Sequence, residues 1–598
     1  MGSLLYVCVH RHLVVQSVAV RLIVEREEER RAFRQATYWD IEARMEADEQ
    51  EFKAQLVQIG DQRICSGKDF DASTGNLKKD SRAIVLDERS ARDRLDACME
   101  NLPWHVSQIQ KKETQQRPAP PFTTSTLQQA ASSRLKLTPR QSMMIAQRLY
   151  EGIDLGGEER EGLITYMRTD STQVADSALS EVRSYIQERY GKDHLPSQRR
   201  VYARASKGAQ EAHEAVRPTS IRRDPASLKD YLSGDQLNLY TLIWSRMLAS
   251  QMEDARSEAT TLNIDAVCNE SGNTYNFRAS GSVLKFAGFR TVYLEGRDDN
   301  DDNDDKNSLP SLSEGDHLDC SKHGANQHFT EPPPRFTEAT LIKAMEEKGI
   351  GRPSTYAPTI GTLVDRMYVE RERNRLTPTK LGITVTDLLT EYFTNIMDLD
   401  FTAKMEEELD DVSRGEREWV PMLGEFYGPF QQALGDADEK MPKIRMDEET
   451  DEVCDCGGSE KCEHGDLCGK AMVIKTGRFG RFMACTGFPD CRKTKPILKT
   501  VGVSCPKSDC GGEIVERRAR GRGRSFFGCS NYPNCDLILN QRPLNDPCPE
   551  CNGLMIQKNR TNVACTVCNW QEAVMEISEG LVGSDGADDS AELASVGD

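Results

Sequence analysis

Apolar and polar positions change period several times along the chain. From Val14 to Gln35 (VVQSVAVRLIVEREEERRAFRQ) apolar residues fall at helical spacing and then give way to charge, which predicts one helix. Residues 38–110 alternate in short runs (ATYWDIEARM, FKAQLVQI, WHVSQIQKK) that read as strands around one helical stretch, SRAIVLDERSARDRLDACMENL. PAPPFTTSTLQQAASSRLKL (118–137) predicts a Pro-bound turn and a capped helix, and QSMMIAQRLYEG (141–152) a helix stopped at Gly152. Residues 161–255 are expected to be mainly helical, and residues 257–296 to return to strands. The Asp-rich stretch 298–305 reads as an exposed, solvating loop. Residues 336–435 are expected to be helical around a short hairpin, YVERERNRLTPT.

A chain of 598 residues exceeds what one core serves, so several domains are expected. Hydrophobic residues make up 37% and mean hydropathy is −0.61. No run approaches the roughly 18–20 apolar residues of a membrane span. The apolar N-terminus is broken by His10, Arg11 and His12 and lacks the marks of a signal peptide, so a cytoplasmic setting is expected.

The cysteines change this picture. Five of 19 are scattered (Cys8, Cys65, Cys98, Cys268, Cys320), and fourteen lie between Cys454 and Cys568. In a large cytoplasmic chain such clusters point to metal. Two segments repeat a unit, Cys485-TGFPD-Cys491 after TGRFGRF and Cys529-SNYPN-Cys535 after RGRGRSFF. A third is plain: Cys548-PE-Cys551 and Cys565-TV-Cys568. Tetrahedral zinc takes four thiolates from two loops, and each unit supplies two loops joined by a hairpin. Cys505, Cys510, Cys529 and Cys535 then form one site, and Cys548, Cys551, Cys565 and Cys568 another. In the first unit Cys468 joins Cys485 and Cys491; the fourth ligand is Cys462 or Cys454, with Cys462 slightly favoured.

Charge points the same way once it is located. The whole chain carries −19, but residues 470–542 hold 15 Lys/Arg against 5 Asp/Glu, a local excess of 10 positive charges. That local field is what a polyanion meets within a Debye length. Arg478, Phe479, Arg481 and Phe482, then Arg522, Arg524, Phe526 and Phe527, interleave cations with rings, with Phe488 and Tyr532 nearby. Cations that track phosphates and rings that stack bases suit single strands without sequence preference. The bland alternative packs the rings inside the ribbons.

Three further stretches carry candidate chemistry. GLITYMRTDS reads as a buried strand ending at Tyr166, with Arg168 to Ser171 opening the next helix. A lone tyrosine there is usually a core residue. KGAQEAHEAVRPTS (207–220) places His213, Glu214 and Arg217 on one helical turn. KGIGRPSTYAPTI (348–360) gathers Arg352, Ser354, Thr355 and Tyr356 at a Gly/Pro turn shaped to grip a phosphate.

Together these stretches closely resemble the bacterial type IA DNA topoisomerases of the topoisomerase I group. The motifs run in order through VQSVAVRLIVERE, PFTTSTLQQAAS, LITYMRTDS, AQEAHEAVRP, GIGRPSTYAPTI and KMEEELDDVSRGE into CGKAMVIKTGRFGRFMACTGFPDC. The resemblance implies a mixed α/β toroid. Its core is residues 15–450: a helical gate at about 125–255, β-rich arch strands at about 45–115 and 256–330, and a helical base at about 15–40 and 335–435. Zinc ribbons follow at 451–500, 501–545 and 546–572, then an acidic disordered tail at 573–598.

It further implies an ATP-independent isomerase that relaxes negatively supercoiled DNA through a 5′-phosphotyrosine on Tyr166. Arg168 would neutralise phosphate charge, and His213, Arg217, Arg352, Ser354 and Thr355 would hold the strand. Zn2+ would sit in the ribbons, and Mg2+ is expected of the family. Single-stranded and supercoiled DNA are the implied partners of a monomer at the nucleoid, with RNA polymerase a candidate partner of the tail. Family members begin with a Toprim domain that holds the Mg2+. This sequence starts after it, and residues 1–14 resemble nothing in the family. The expectation is therefore weak or absent relaxation by this chain alone, with single-strand binding as the alternative role. A reverse gyrase-like relative is the weaker alternative, since no helicase motif is present.

Overall fold

The computed structural model describes residues 13–47, 50–99, 104–157, 159–202, 214–268, 272–294, 309–442, 444, 447–456, 469–477, 480–488, 490–507, 509–518, 525–558 and 562–573. The chain divides into two compact units, Met1–Pro442 and Lys443–Asp598.

The first unit opens with helix α1, Leu13–Ala32. Val18, Ala19, Val20, Leu22, Ile23 and Val24 are all buried, and so are Gln16 and Ser17, so its N-terminal half lies in a core. Strands β1 (Thr37–Ala47), β2 (Gln50–Ile59) and β3 (Gln62–Arg63) follow, then helix α2 (Glu88–Met99) and strand β4 (Trp104–Gln116). Helix α2 begins at Glu88, not at Ser81. Asp87 Oδ1 accepts the Ser90 N–H at 2.7 Å, which fixes the start.

Helices α3 (Thr124–Leu135) and α4 (Pro139–Glu151) each start at a threonine whose hydroxyl accepts the N–H three residues on: Thr123 from Thr126, and Thr138 from Gln141. Helix α5 spans Asp176–Tyr190 and α6 Gly234–Ser250. The described residues of 161–255 are thus two α-helices with short 3-10 turns and irregular chain, rather than mainly helix. Strands β5 (Ala255–Val267), β6 (Thr274–Phe286) and β7 (His317–Phe329) complete the sheet. The Asp-rich stretch lies outside the described residues.

All pairings in this sheet are antiparallel. Strand β1 pairs with β7 on one side and β2 on the other, so the order β1-β7-β4-β5-β6-β2 closes on itself, with β3 as a hairpin extension of β2. Closure leaves the paired region without free edges. Its core holds Met45, Phe52, Leu56, Trp104, Ile264 and Phe277.

Helices α7 (Glu338–Glu347) and α8 (Tyr356–Asp365) follow, then the hairpin β8 (Val369–Glu372) and β9 (Arg375–Pro378). Arg373 and Asn374 both take positive φ, as a tight hairpin turn requires. Helices α9 (Lys380–Tyr392), α10 (Thr394–Met397), α11 (Leu399–Ser413) and α12 (Trp419–Lys440) close the unit. The buried face of α1 packs with Leu341, Ile342, Ile360 and Leu363 of α7 and α8. A separate core unites α3, α4, α5 and α6 through Leu127, Leu149, Ile186 and Ile243.

Among the described residues the second unit holds three antiparallel four-stranded sheets. They are β10 (Glu448–Val453), β11 (Ala471–Gly477), β12 (Gly480–Cys485) and β13 (Thr494–Pro496); then β14 (Lys499–Ser504), β15 (Glu513–Arg518), β16 (Ser525–Cys529) and β17 (Ile538–Leu539); then β18 (Pro543–Leu544), β19 (Met555–Gln557), β20 (Asn562–Cys565) and β21 (Gln571–Ala573). The acidic tail beyond Ala573 lies outside the described residues.

Candidate functional site

The segment around Tyr166 is irregular chain held by isolated bridges, with a bend at Met167, and not a strand of a sheet. The next helix starts at Asp176, so Arg168 to Ser171 do not open it as the sequence suggested. The side chains alternate. Met167 and Thr169 are buried at 1% and 2% exposure, while Tyr166 is 38% exposed and Arg168 is exposed as well. The chain bends at Met167, whose side chain turns inward between the two exposed ones.

Three anchors fix this segment. Leu163 N–H donates to Leu149 O at 2.8 Å, against helix α4. Thr165 N–H donates to Arg217 O at 2.9 Å, and its hydroxyl donates to Ala215 O at 2.6 Å. Thr124, fully buried, hydrogen-bonds both sides of Arg168: its hydroxyl donates to Met167 O at 2.7 Å and accepts the Thr169 N–H at 2.8 Å. The Tyr166 ring meets Tyr150 edge-on, centroids 5.4 Å apart. Gly162 permits the close pass of chain, since a Cβ there would lie 2.8 Å from Tyr150 O.

Arg168 and Ser354 line one cavity of about 370 Å3, together with Arg140, Met143 and Asp365. This cleft brings the tyrosine segment and the GIGRPST turn together, two stretches nearly 200 residues apart. Arg140, the second guanidinium of the cavity, was not singled out in the sequence; it opens helix α4 beside Pro139 and looks there like an ordinary surface residue.

The other expected strand-holding residues divide. Arg352 is bound internally: its Nη2 donates to Asp410 Oδ2 at 2.7 Å and its Nη1 to Gly351 O at 2.9 Å. Thr355 closes the same turn, its hydroxyl accepting the Arg352 N–H at 2.8 Å. Gly351 takes φ +81°, which the turn demands. Arg217 and Glu214 do not share a helical turn; they lie on irregular chain, Arg217 Nε donating to Glu214 Oε2 at 2.7 Å. Glu214 in turn accepts the Ala175 N–H at 3.1 Å. Both arginines are thus held in ion pairs within the first unit. His213 lies outside the described residues.

Glu346, which sequence reasoning also missed, joins α7 to α3. Ser125 Oγ donates to its Oε1 at 2.5 Å. Burial pushes its carboxyl above the usual Glu range, and the neighbouring Glu347 and Asp170 charges add to that against the Ser125 bond. Burial likewise raises the Tyr356 phenol, with Glu346 adding to the effect.

In the second unit the thiols converge as the spacing required. Cys505, Cys510, Cys529 and Cys535 lie with all sulfurs within 4.8 Å of one another, as do Cys548, Cys551, Cys565 and Cys568. Close pairs are Cys505–Cys535 at 3.7 Å, Cys510–Cys529 at 3.3 Å, Cys548–Cys568 at 3.5 Å and Cys551–Cys565 at 3.4 Å. Disulfides would need about 2.0 Å. A tetrahedron of Zn–S bonds about 2.3 Å long has edges of about 3.8 Å, so the donor sets fit zinc. The third group is Cys454, Cys485 and Cys491. Cys454, the ligand placed second in the sequence analysis, is the one found there; Cys462 and Cys468 lie outside the described residues.

The rings sort differently from the expectation. Phe526 is half-buried in β16, opposite Arg517. Phe488 and Tyr532, at matching places in the two C-x5-C loops, are 67% and 60% exposed. Arg517 stands 5.4 Å from the Tyr532 ring centre. Arg478, Phe479, Arg522 and Arg524, and the side chain of Arg481, lie outside the described residues.

Residues 14–423 match the family model described as DNA topoisomerase. Residues 459–500, 502–543 and 545–569 match the one described as topoisomerase DNA binding C4 zinc finger. Among solved structures, full-length topoisomerase I from Thermotoga maritima in a monoclinic crystal form is similar, with a TM-score of 0.59 and 29% identity over 86% of this chain and 72% of that one.

Proposed function

The chain belongs to the bacterial type IA DNA topoisomerases of the topoisomerase I group, and from that membership we propose the chemistry of its cleft. Tyr166 Oη attacks a backbone phosphorus of a single DNA strand. The P–O3′ bond breaks, the phenol proton is lost, the 3′ oxygen leaves and takes a proton, and the 5′ phosphate stays on the tyrosine. The phosphodiester energy is kept in the new ester, so religation by the same 3′ hydroxyl needs no ATP. Between the two steps another strand passes and the linking number changes. Arg168 offsets charge on the phosphate in flight, where a fixed cation helps most. Ser354 and Arg140 contact the strand beside it.

The observation that carries this reading is the pair of exposed side chains Tyr166 and Arg168, pinned from behind by Thr124, with Arg168 lining a cavity that also takes in Ser354. Mg2+ would supply charge neutralisation at the phosphate in this family. Among the described residues the only metal-type donor groups are the three cysteine sets, which do not suit it, and no step is derived through it. The C4 ribbons bind Zn2+ and DNA, and we assign them the capture of single strands. No helix of the described residues is long and apolar enough to cross a membrane. The proposed setting is the bacterial nucleoid.

The test is relaxation of negatively supercoiled plasmid with Mg2+, with a matched sample quenched in denaturant to trap protein-linked DNA. The expected result is protein-linked DNA, with relaxation weak in this chain alone, and the loss of both in Tyr166→Phe. Adduct that persists in Tyr166→Phe would remove Tyr166 from the reaction. Single-strand binding with neither relaxation nor adduct would leave this chain a strand-binding role only.

A further inference from the structure

The cleft lies on the seam between two cores. Leu163, Ile164 and Met167, around the tyrosine, belong to the core of α3, α4, α5 and α6. Ile350 and Tyr356, which flank the Gly-Arg-Pro-Ser-Thr turn, belong to the core of α1, α7 and α8. Arg168 and Ser354 therefore line one cavity from opposite sides of the seam. Apolar burial holds each core together but is non-directional, so it sets the register between them only loosely. Hydrogen bonds across the seam have the directionality to fix it.

Glu346 makes that crossing. It stands in the last turn of α7, three residues before Gly349 opens the turn at φ +69°. Its carboxyl accepts from Ser125 Oγ at 2.5 Å and from the Gln129 side chain, both on α3 and one helical turn apart. Ser125 is 2% exposed, and its hydroxyl also meets Thr123 Oγ1 at 3.0 Å. Thr123 caps α3, and between the two stands Thr124, whose hydroxyl holds Met167 O and the Thr169 N–H. A carboxyl from one core thus grips the same buried helix start that backs Tyr166 and Arg168 in the other. A second crossing, Arg140 to Asp365 at 4.0 Å, has side chains 76% and 73% exposed and contributes little.

We propose that Glu346 is the positioning residue of the cleft, setting the register of the two cores so that Arg168 and Ser354 meet the same stretch of strand. It acts through Ser125 and Thr124 and touches no DNA. The consequence for catalysis rests on the cleavage reading of Tyr166; the crossing itself does not.

Two readouts on the full chain test it. The first is the separation across the seam, from spin labels on genetically encoded keto side chains at the exposed positions Met144 of α4 and Lys343 of α7. The second is the single-turnover rate of protein-linked DNA formation on a single-stranded oligonucleotide with Mg2+, beside the Kd of that oligonucleotide. Glu346→Leu and Ser125→Ala are each expected to broaden the separation and to slow adduct formation by about 10-fold or more, with Kd changed by less than about 2-fold. Glu346→Gln, which still accepts from Ser125, is expected to keep one narrow separation and a rate near that of the wild type. A merely structural role would not divide the variants in this way. Glu346→Leu combined with Ser125→Ala is expected to be no worse than either alone, since both remove one contact. A narrow, unmoved separation in Glu346→Leu would overturn the proposal, as would Glu346→Gln behaving like Glu346→Leu. A wild type that forms no adduct would count against the cleavage reading, and the separation alone would then decide the role of Glu346.

Discussion

Glu346 shows how a single carboxyl can tie two helices and set their response to pH. Its pKa lies above the ordinary value, so the folded protein holds this proton more tightly than the unfolded chain does. The stability it contributes is full below the usual Glu range and is lost as pH rises through the folded value. Near neutral pH the charge sits half-buried beside Glu347 and Asp170, with the Ser125 hydroxyl and the Gln129 side chain as its hydrogen-bond partners. Glu346→Gln keeps an acceptor for Ser125 Oγ and removes the charge. It is expected to raise the melting temperature at pH 7 to 8 and to flatten the fall in stability from pH 5 to 8. Thermal melts across that range check it; a constant offset from wild type at every pH would refute the linkage. Nothing in the Glu-Glu-Lys-Gly sequence marks this residue, because its role comes from the approach of Ser125, more than 200 positions away. Tyr166 and Arg168 stood out in the sequence through the family resemblance of LITYMRTDS, and the fold adds that both are exposed on either side of the buried Met167. Arg217 and Arg352 were legible as important but not as ion-paired, because Glu214 and Asp410 are set against them only by the fold.

At the scale of elements, helices with strong local signals were readable and irregular chain was not. Thr123, Thr138 and Thr337 each cap a helix, and α1 announces itself by its valine run. The stretch after Tyr166 has capping residues too, yet no helix starts there. Thr169 and its neighbours are instead bonded to Thr124, a long-range partner that outcompetes local helix formation. Thr124 is thus the backing of the Tyr166 face. Thr124→Val preserves shape but leaves the buried Thr169 N–H without that hydroxyl acceptor, at a cost of about 1–3 kcal/mol. The expected outcome is a destabilised first unit and relaxation activity that falls more than stability alone explains, with Thr124→Ser restoring most of both. Denaturant melts beside relaxation rates check it. Equal loss in Thr124→Val and Thr124→Ser would mean that packing, and not the hydroxyl, positions the tyrosine.

For the molecule as a whole, closure of the sheet was not legible from strand spacing, since it depends on β1 pairing with both β2 and β7. Charge distribution was legible, and it makes the last prediction. A chain of net charge −19 binds a polyanion only through a local surface, and the excess of basic residues at 470–542 supplies one. Two contributions can be separated there. Cations release counterions, so they set the slope of log K against log salt, about −0.7 per neutralised phosphate on a single strand. Stacking rings add affinity without changing that slope, about 1–3 kcal/mol per base. Among the described residues, Phe488 and Tyr532 are the large rings most exposed on the ribbons, at equivalent places in their C-x5-C loops. Phe488→Ala with Tyr532→Ala is expected to weaken binding of an unstructured oligonucleotide by about 10-fold or more at every salt concentration, lines staying parallel. Replacing Arg517 and Lys475 by Gln should instead make the line shallower. Fluorescence anisotropy from 50 to about 300 mM salt distinguishes the two. Unchanged affinity in the double ring variant would mean that the exposed rings are surface only, and that phosphate contacts alone carry strand capture.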